Sequence, residues 1–213
     1  VSAFQAVRRQ FDSDHPLQFM TQRHTLWRNK MANNVNSHID LENANEAATE
    51  YFAKFCRLMK EDQWKAFDFL FGESEKTHSW MIDNIGAKWL IVEDAEDDYM
   101  SLCTAWDWPL DLFNELHEKL FELDENIEIF ASFEDEMPNF VGWKAYKGDD
   151  EESELYHCED FGMIIEGFKT LEELEEEEED EDSAWEKWDE QMSMFWEDLS
   201  GYVHEQRLAF FGE

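Results

Sequence analysis

Val35-Asn36-Ser37-His38-Ile39-Asp40-Leu41 alternates: positions 35, 37, 39 and 41 are apolar or small, and Asn36, His38 and Asp40 are polar. Strand side chains point to opposite faces with a period of two, so this stretch predicts a half-buried β-strand. Working outward, Asn43-Ala44-Asn45 offers a helix cap. Ala47/Ala48, Tyr51/Phe52, Phe55 and Leu58/Met59 then recur at helical spacing to about residue 60. Trp64, Phe67 and Phe71 add a further turn or two, and Gly72 ends it.

A second block starts near Ala87. Lys88–Glu93 and Tyr99–Ala105 read as strands joined by the acidic turn Asp94–Asp98. Pro109, at a first helical position, opens a helix over Leu110–Leu123, with Leu112/Phe113, Leu116 and Leu120 as its apolar stripe. In Asn126–Glu134, Ile127, Ile129, Ala131 and Phe133 alternate with acids and predict another strand. Phe140–Lys147 is the next, turning at Gly148-Asp149, with Glu154–Cys158 as its hairpin partner. The order is strand, helix, strand, strand, helix, strand, then an extra hairpin. That is the split-βαβ, or ferredoxin-like, α+β pattern, with helices on one sheet face.

The C-terminal part differs. Glu172–Asp182 holds ten acids in eleven residues. Ser183 is placed to cap a helix in which Trp185, Trp188, Met192, Phe195, Leu199 and Tyr202 recur every three or four residues. So large a stripe must be buried against the protein's own sheet, in a partner's groove or on a second copy of the chain. The expected organisation is a basic arm over 1–30, a ferredoxin-like domain over 31–168, and an acidic run with an amphipathic helix over 169–213.

Several motifs carry a family resemblance. Met31-Ala32-Asn33-Asn34-Val35 with Ile39 and Leu41, Trp80, and Asn84-Ile85-Gly86-Ala87-Lys88-Trp89 are the first pieces. Thr104-Ala105-Trp106 before Pro109, and Phe133-Glu134-Asp135-Glu136-Met137 before Phe140-Val141-Gly142-Trp143, complete the set. Over residues 31–160 the chain resembles the YubB-type ferredoxin-like domain family of plasmid and bacteriophage proteins. The resemblance implies a mobile-element origin and a ferredoxin-like fold; the family has no established catalytic activity. The 1–30 arm and the acidic tail lie outside its pattern, and Met31 reads as an alternative start.

Composition narrows the function. The 213 residues hold 53 Asp+Glu against 17 Lys+Arg, a formal net charge of −36. Such a chain is unsuited to direct binding of DNA or RNA, whose affinity comes from cations neutralising phosphates, or to an anionic membrane leaflet. Ten Trp and 18 Phe are far too many for an acidic disordered chain, so most of it should fold. Residues 1–30 carry Arg8, Arg9, Arg23, Arg28 and Lys30 against Asp12 and Asp14, a net of +3. Cys56, Cys103 and Cys158 form no CxxC pair and suit a reducing compartment. The absence of a long apolar run points to the cytoplasm, here of a host cell, with no membrane partner.

Chemical motifs are sparse. Asp94-Ala95-Glu96-Asp97-Asp98 looks like a calcium loop, but Tyr99 stands where the loop needs Gly and Ala105 where it needs Glu. His157-Cys158 lacks a second ligand pair for zinc. No nucleophile elbow, P-loop or dinucleotide motif occurs. Glu134 and Glu136 share a strand face but are expected to stay ionised on so charged a surface. Trp80, Trp89, Trp106 and Trp143 are expected to fill the core beneath the helices; Lys88 reads as solvent-facing or as a cation–π partner.

Charge density is the sharpest signal. At a helical rise of about 1.5 Å per residue, the acidic run would carry one charge per about 1.6–1.7 Å. Duplex DNA carries one per about 1.7 Å of axis. The expectation is a non-enzymatic phage or plasmid effector, without cofactor or metal. It would bind a host nucleic-acid-handling protein with a basic groove and inhibit it as a nucleic-acid mimic. The candidate partner-binding residues are Glu175, Glu176, Glu177, Glu178, Glu179, Asp180, Glu181, Asp182, Trp185, Trp188 and Phe195. The alternative is a structural or assembly protein, virion-associated, held by its amphipathic tail.

Overall fold

Strand β1 (Asn34–Asn43) lies inside a six-stranded sheet whose order is β2-β3-β1-β4-β5-β6, antiparallel throughout. The other strands are β2 (Leu90–Ala95), β3 (Tyr99–Ala105), β4 (Glu128–Asp135), β5 (Phe140–Lys147) and β6 (Asp150–His157). The structure is a computed structural model and describes residues 33–136, 139–178 and 180–212. The 1–30 arm and Met31 lie outside the described residues. Among the described residues no helix is long and apolar enough to cross a membrane.

Helices α1 (Glu46–Glu61), α2 (Gln63–Phe71) and α3 (His78–Ile85) connect β1 to β2, and α4 (Leu110–Phe121) connects β3 to β4. Each start has a chemical cause. The Asn45 side chain accepts the Ala48 N–H at 3.0 Å, and Thr77 accepts from Trp80 at 3.2 Å. Asp62 ends α1 and caps α2. Gly86 closes α3 at a φ of 88°, a left-handed position that glycine adopts without strain. α3 was not foreseen: its eight residues are too short for a periodic stripe, although the Thr77 cap was legible. Pro109 stands just outside α4 as its N-terminal flank rather than inside it.

The first face of the sheet is the larger core. Val35, Ile39, Met100, Leu102, Ile129 and Ala131 meet Phe52, Phe55, Phe67, Leu112, Phe113 and Leu116 from the helices, all fully buried. Trp108 stacks on Phe133 with ring centroids 3.9 Å apart. Gly142 is required on this face, because a Cβ there would lie 2.4 Å from the Glu154 carbonyl oxygen and 2.6 Å from the Phe133 ring.

The expectation of helices on one face only is corrected by the C-terminal segment. After a 3₁₀ turn (Cys158–Asp160), α5 (Phe161–Ile164), α6 (Leu171–Glu177) and α7 (Glu181–Phe211) form a second layer. Trp188, Met192, Leu199 and Val203 of α7 pack with Phe130, Val141, Trp143 and Ala145 on the opposite sheet face. Residues 169–212 are therefore a wall of this mixed α/β protein. Arg207 pairs with Asp40 and Glu42, and Tyr202 meets Tyr156 oxygen to oxygen at 2.6 Å, fixing the helix to β1 and β6.

The tryptophans also divide differently from expectation. Trp143 is 2% exposed but belongs to the second core. Trp80 sits on α3, half-buried against Phe67 and Phe71. Trp106 is 60% exposed with a φ of 71°, unusual for a bulky side chain. Lys88 lies 4.7 Å from its ring centroid, a cation–π contact.

Two stability outcomes follow. Trp188→Ala should lower the unfolding free energy by about 3–5 kcal/mol, the cost of emptying a large core site. A loss under about 1 kcal/mol in urea titration would mean that α7 is not part of the folded unit. Gly142→Ala should cost roughly 1–3 kcal/mol through overpacking, and an unchanged midpoint would contradict the close approach to Glu154.

Candidate functional site

The acidic run is folded, and not as one rod. Thr170 and Glu173 cap α6 reciprocally: the Glu173 N–H donates to the Thr170 hydroxyl, and the Thr170 N–H donates to the Glu173 carboxylate at 2.7 Å. These bonds hold the Glu173 carboxyl below its usual range. α6 stops after Glu177, and Glu178 is extended, with φ −96° and ψ 153°. Asp180 starts α7 by accepting the Ser183 N–H at 2.9 Å and the Ser183 hydroxyl at 2.8 Å, which lowers its pKa. The cap is thus Asp180, three residues before the expected Ser183.

The break has an electrostatic cause. Carboxylates at a helix C-terminus face the negative end of the dipole, whereas at an N-terminus they meet the positive end. Glu175, Glu176 and Glu177 load the unfavourable end of α6, while Asp180 and Asp182 sit at the favourable start of α7. Lys169 pairs with Glu177 at 2.5 Å and Lys187 pairs with Glu178, relieving the crowding at the junction.

Each candidate residue now has a place. Glu175, Glu176, Glu177, Asp180 and Asp182 are exposed, and Glu178 is half-buried. Glu179 and the Glu181 side chain lie outside the described residues. Trp188 is 8% exposed, so it is a core residue and not an anchor offered to a partner. Trp185 and Phe195 are half-buried against the same core, Phe195 with its ring 6.2 Å from Phe168. Leu174 is buried in that core too, which turns the acids of α6 outward. A second acidic tract, Asp149–Glu152 with Glu154, lies along β6, the last strand of the sheet, where Asp150, Glu151 and Glu152 are exposed.

A line of side chains on the second sheet face was not anticipated. His38 Nδ1 lies 2.8 Å from the Ser101 hydroxyl, and Nε2 lies 3.0 Å from Asp40. Tyr99 stacks on the imidazole with centroids 5.4 Å apart. The alternation of His38 with Asp40 was legible, but Ser101 is their neighbour only through the β1–β3 register. The carboxylate raises the His38 pKa, opposed by burial and by Arg207. Although the trio has the composition of a catalytic triad, Ser101 is mid-strand in β3, which is hydrogen-bonded on both sides. Its flanking backbone N–H groups belong to the ladder, so among the described residues they do not form an oxyanion site beside the hydroxyl. Burial raises the pKa of Glu134, on the same face, and a hydrogen bond from Asn36 pulls the other way. Among the described residues, no three of His, Cys, Asp and Glu converge as metal ligands.

His38 should titrate above the ordinary imidazole value of about 6.5. Its raised pKa contributes stability that is complete below about 6.5 and is lost as pH rises through the folded-state value. Proton NMR of the imidazole checks this. Asp40→Asn should bring the midpoint down, and an unmoved midpoint would rule out the carboxylate as the cause.

No family model matches the chain, no curated protein matches its sequence, and no solved structure matches its fold.

Proposed function

We propose that the protein is a non-enzymatic effector that occupies the basic groove of a nucleic-acid-handling protein and blocks it by mimicking nucleic acid. One observation carries the reading: a charge excess that the protein cannot neutralise internally is mounted on folded elements. With 53 acids and 17 Lys+Arg, 36 carboxylates would stay uncompensated even if every cation took one. The acids on α6, at the start of α7 and on β6 are held by capping and packing, so the array is organised before binding. A preorganised array orders fewer groups on association, and release of counter-ions favours exchange with a basic channel.

The mimic in this reading is a folded acidic surface of two helices and a strand, replacing the continuous rod. The strand order β2-β3-β1-β4, with helical crossovers from β1 to β2 and from β3 to β4, supports a ferredoxin-like reading of the core, while the phage or plasmid origin rests on the sequence resemblance. The assembly alternative is less favoured, because the stripe that would have formed its seam is buried within the chain: Trp188, Met192 and Leu199 line the second core.

Capture from bacterial lysate tests the reading. Nucleic-acid-binding proteins should be retained at low salt, released by high salt and competed by DNA. Replacing the acids of Glu175–Asp182 by Gln and Asn should weaken capture and flatten its salt dependence. Unchanged affinity would remove the run from the mechanism, and retention of the protein's own copies alone, insensitive to DNA, would move the function to assembly.

A further inference from the structure

α7 covers the second sheet face unequally. It packs over Phe130, Val141, Trp143 and Ala145 of β4 and β5, while β1 and β3 present Asn36, His38 and Ser101 beside it. Between helix and strands runs a cleft of about 250 Å³. Its two sides differ in kind. Leu199 and Val203 of α7, with Val141, make an apolar wall. Glu93, Ser101, Ser132 and Glu134 present oxygen acceptors opposite, with Asn36 and His38 on the floor.

No lysine or arginine is among the described residues lining this cleft. Arg207, one helical turn beyond Val203, is committed to Asp40 and Glu42. Glu134 is partly desolvated, and the interaction that stabilises its charge is the Asn36 amide rather than a cation. A half-buried carboxylate without a counter-ion, in a cleft with one greasy wall, matches a side chain with an aliphatic stem and a cationic head. At about 250 Å³ the cleft is smaller than the roughly 300–1,000 Å³ of sites for drug-sized ligands, and suits a single side chain. The acceptors are spread over β2, β3 and β4, which favours the five-donor planar guanidinium over the point charge of an ammonium.

We propose that this cleft receives one arginine of the basic partner, its stem along Leu199 and Val203 and its guanidinium on Glu93 and Glu134. The proposal rests on the effector reading above and gives the acidic surface a point of register that diffuse charge lacks. His38 meets Asp40 on β1 and Ser101 and Tyr99 on β3, with Arg207 of α7 nearby; Glu93 on β2 and Glu134 on β4 line the same cleft, and an incoming guanidinium adds to the effect of Arg207.

The test uses the full chain and Nα-acetyl-arginine amide as probe, followed by two-dimensional NMR. Nα-acetyl-citrulline amide, of the same shape but neutral, is the control. The expected result is saturable shifts at His38, Ser101, Ser132 and Ser200, with an affinity at least about tenfold lower for the citrulline probe. Glu93→Gln with Glu134→Gln should abolish saturation while leaving amide resonances of the first core in place. The proposal is overturned if shifts are unsaturable and spread to exposed acids such as Glu151 and Glu175, if citrulline acts equally, or if the double variant binds unchanged. Capture of a basic protein without probe binding defeats the cleft assignment alone. Probe binding without any such capture keeps the arginine site and defeats the effector reading.

Discussion

Strand β5, with Phe130 of β4 beside it, carries buried apolar side chains on both faces of the sheet, and the rest of the architecture answers that fact. Ile129, Ala131 and Phe133 point into the first core, whereas Phe130, Val141, Trp143 and Ala145 point the other way. A one-sided layer of helices would leave those four in water, and sheets with two apolar faces need two covers. α7 supplies the second cover. Its apolar stripe is therefore committed within the chain, with Asp180 and Asp182 exposed at its start. Stability and surface charge come from the same helix.

The sequence shows how far pattern reading reaches. β1, β3 and β5 and helices α1, α2 and α4 were legible because alternation, caps and stripes were complete within each segment. For the second layer, the stripe of residues 185–202 and its burial on the protein's own sheet were among the readings, but the face it would cover was not. Its clue was present: Phe130 interrupts the alternation of β4 on the supposedly acidic face, and β5 runs Phe-Val-Gly-Trp-Lys-Ala-Tyr with almost no polar side. Read as a strand buried on both faces, that run asks for another helix, and residues 183–202 are the only long stripe left to provide it. The acidic run misled for a different reason. Charge spacing along an ideal helix ignores the dipole, which divides the run at Glu178 and places Asp180 as a cap. The Ser101–His38 contact and the cleft beside α7 depend on strand register and layer packing, which no local pattern encodes.

The charge distribution is consistent across levels. Strand β2 with its turn to β3 is acidic at Glu93, Asp94, Glu96, Asp97 and Asp98, and β6 is acidic at the other end of the sheet. Charged edge strands discourage pairing with other chains. The same carboxylates are the ones on which the proposed binding to a basic surface rests. Lys144 shows the cost of the rare inward charge. Nearly excluded from solvent, it is held by Glu151 at 2.6 Å and lies 5.0 Å from the Tyr146 ring centroid.

The late position of α7 in the chain bears on biogenesis. Strands β4 and β5 are synthesised well before Leu199 and Val203, and at about 5–20 residues per second the interval is several seconds. Throughout it the sheet's second face, centred on Phe130 and Trp143, is an open apolar surface on a nascent chain. The docking of α7 is therefore a late step in completing the fold, and it closes a face that the first 157 residues cannot close for themselves.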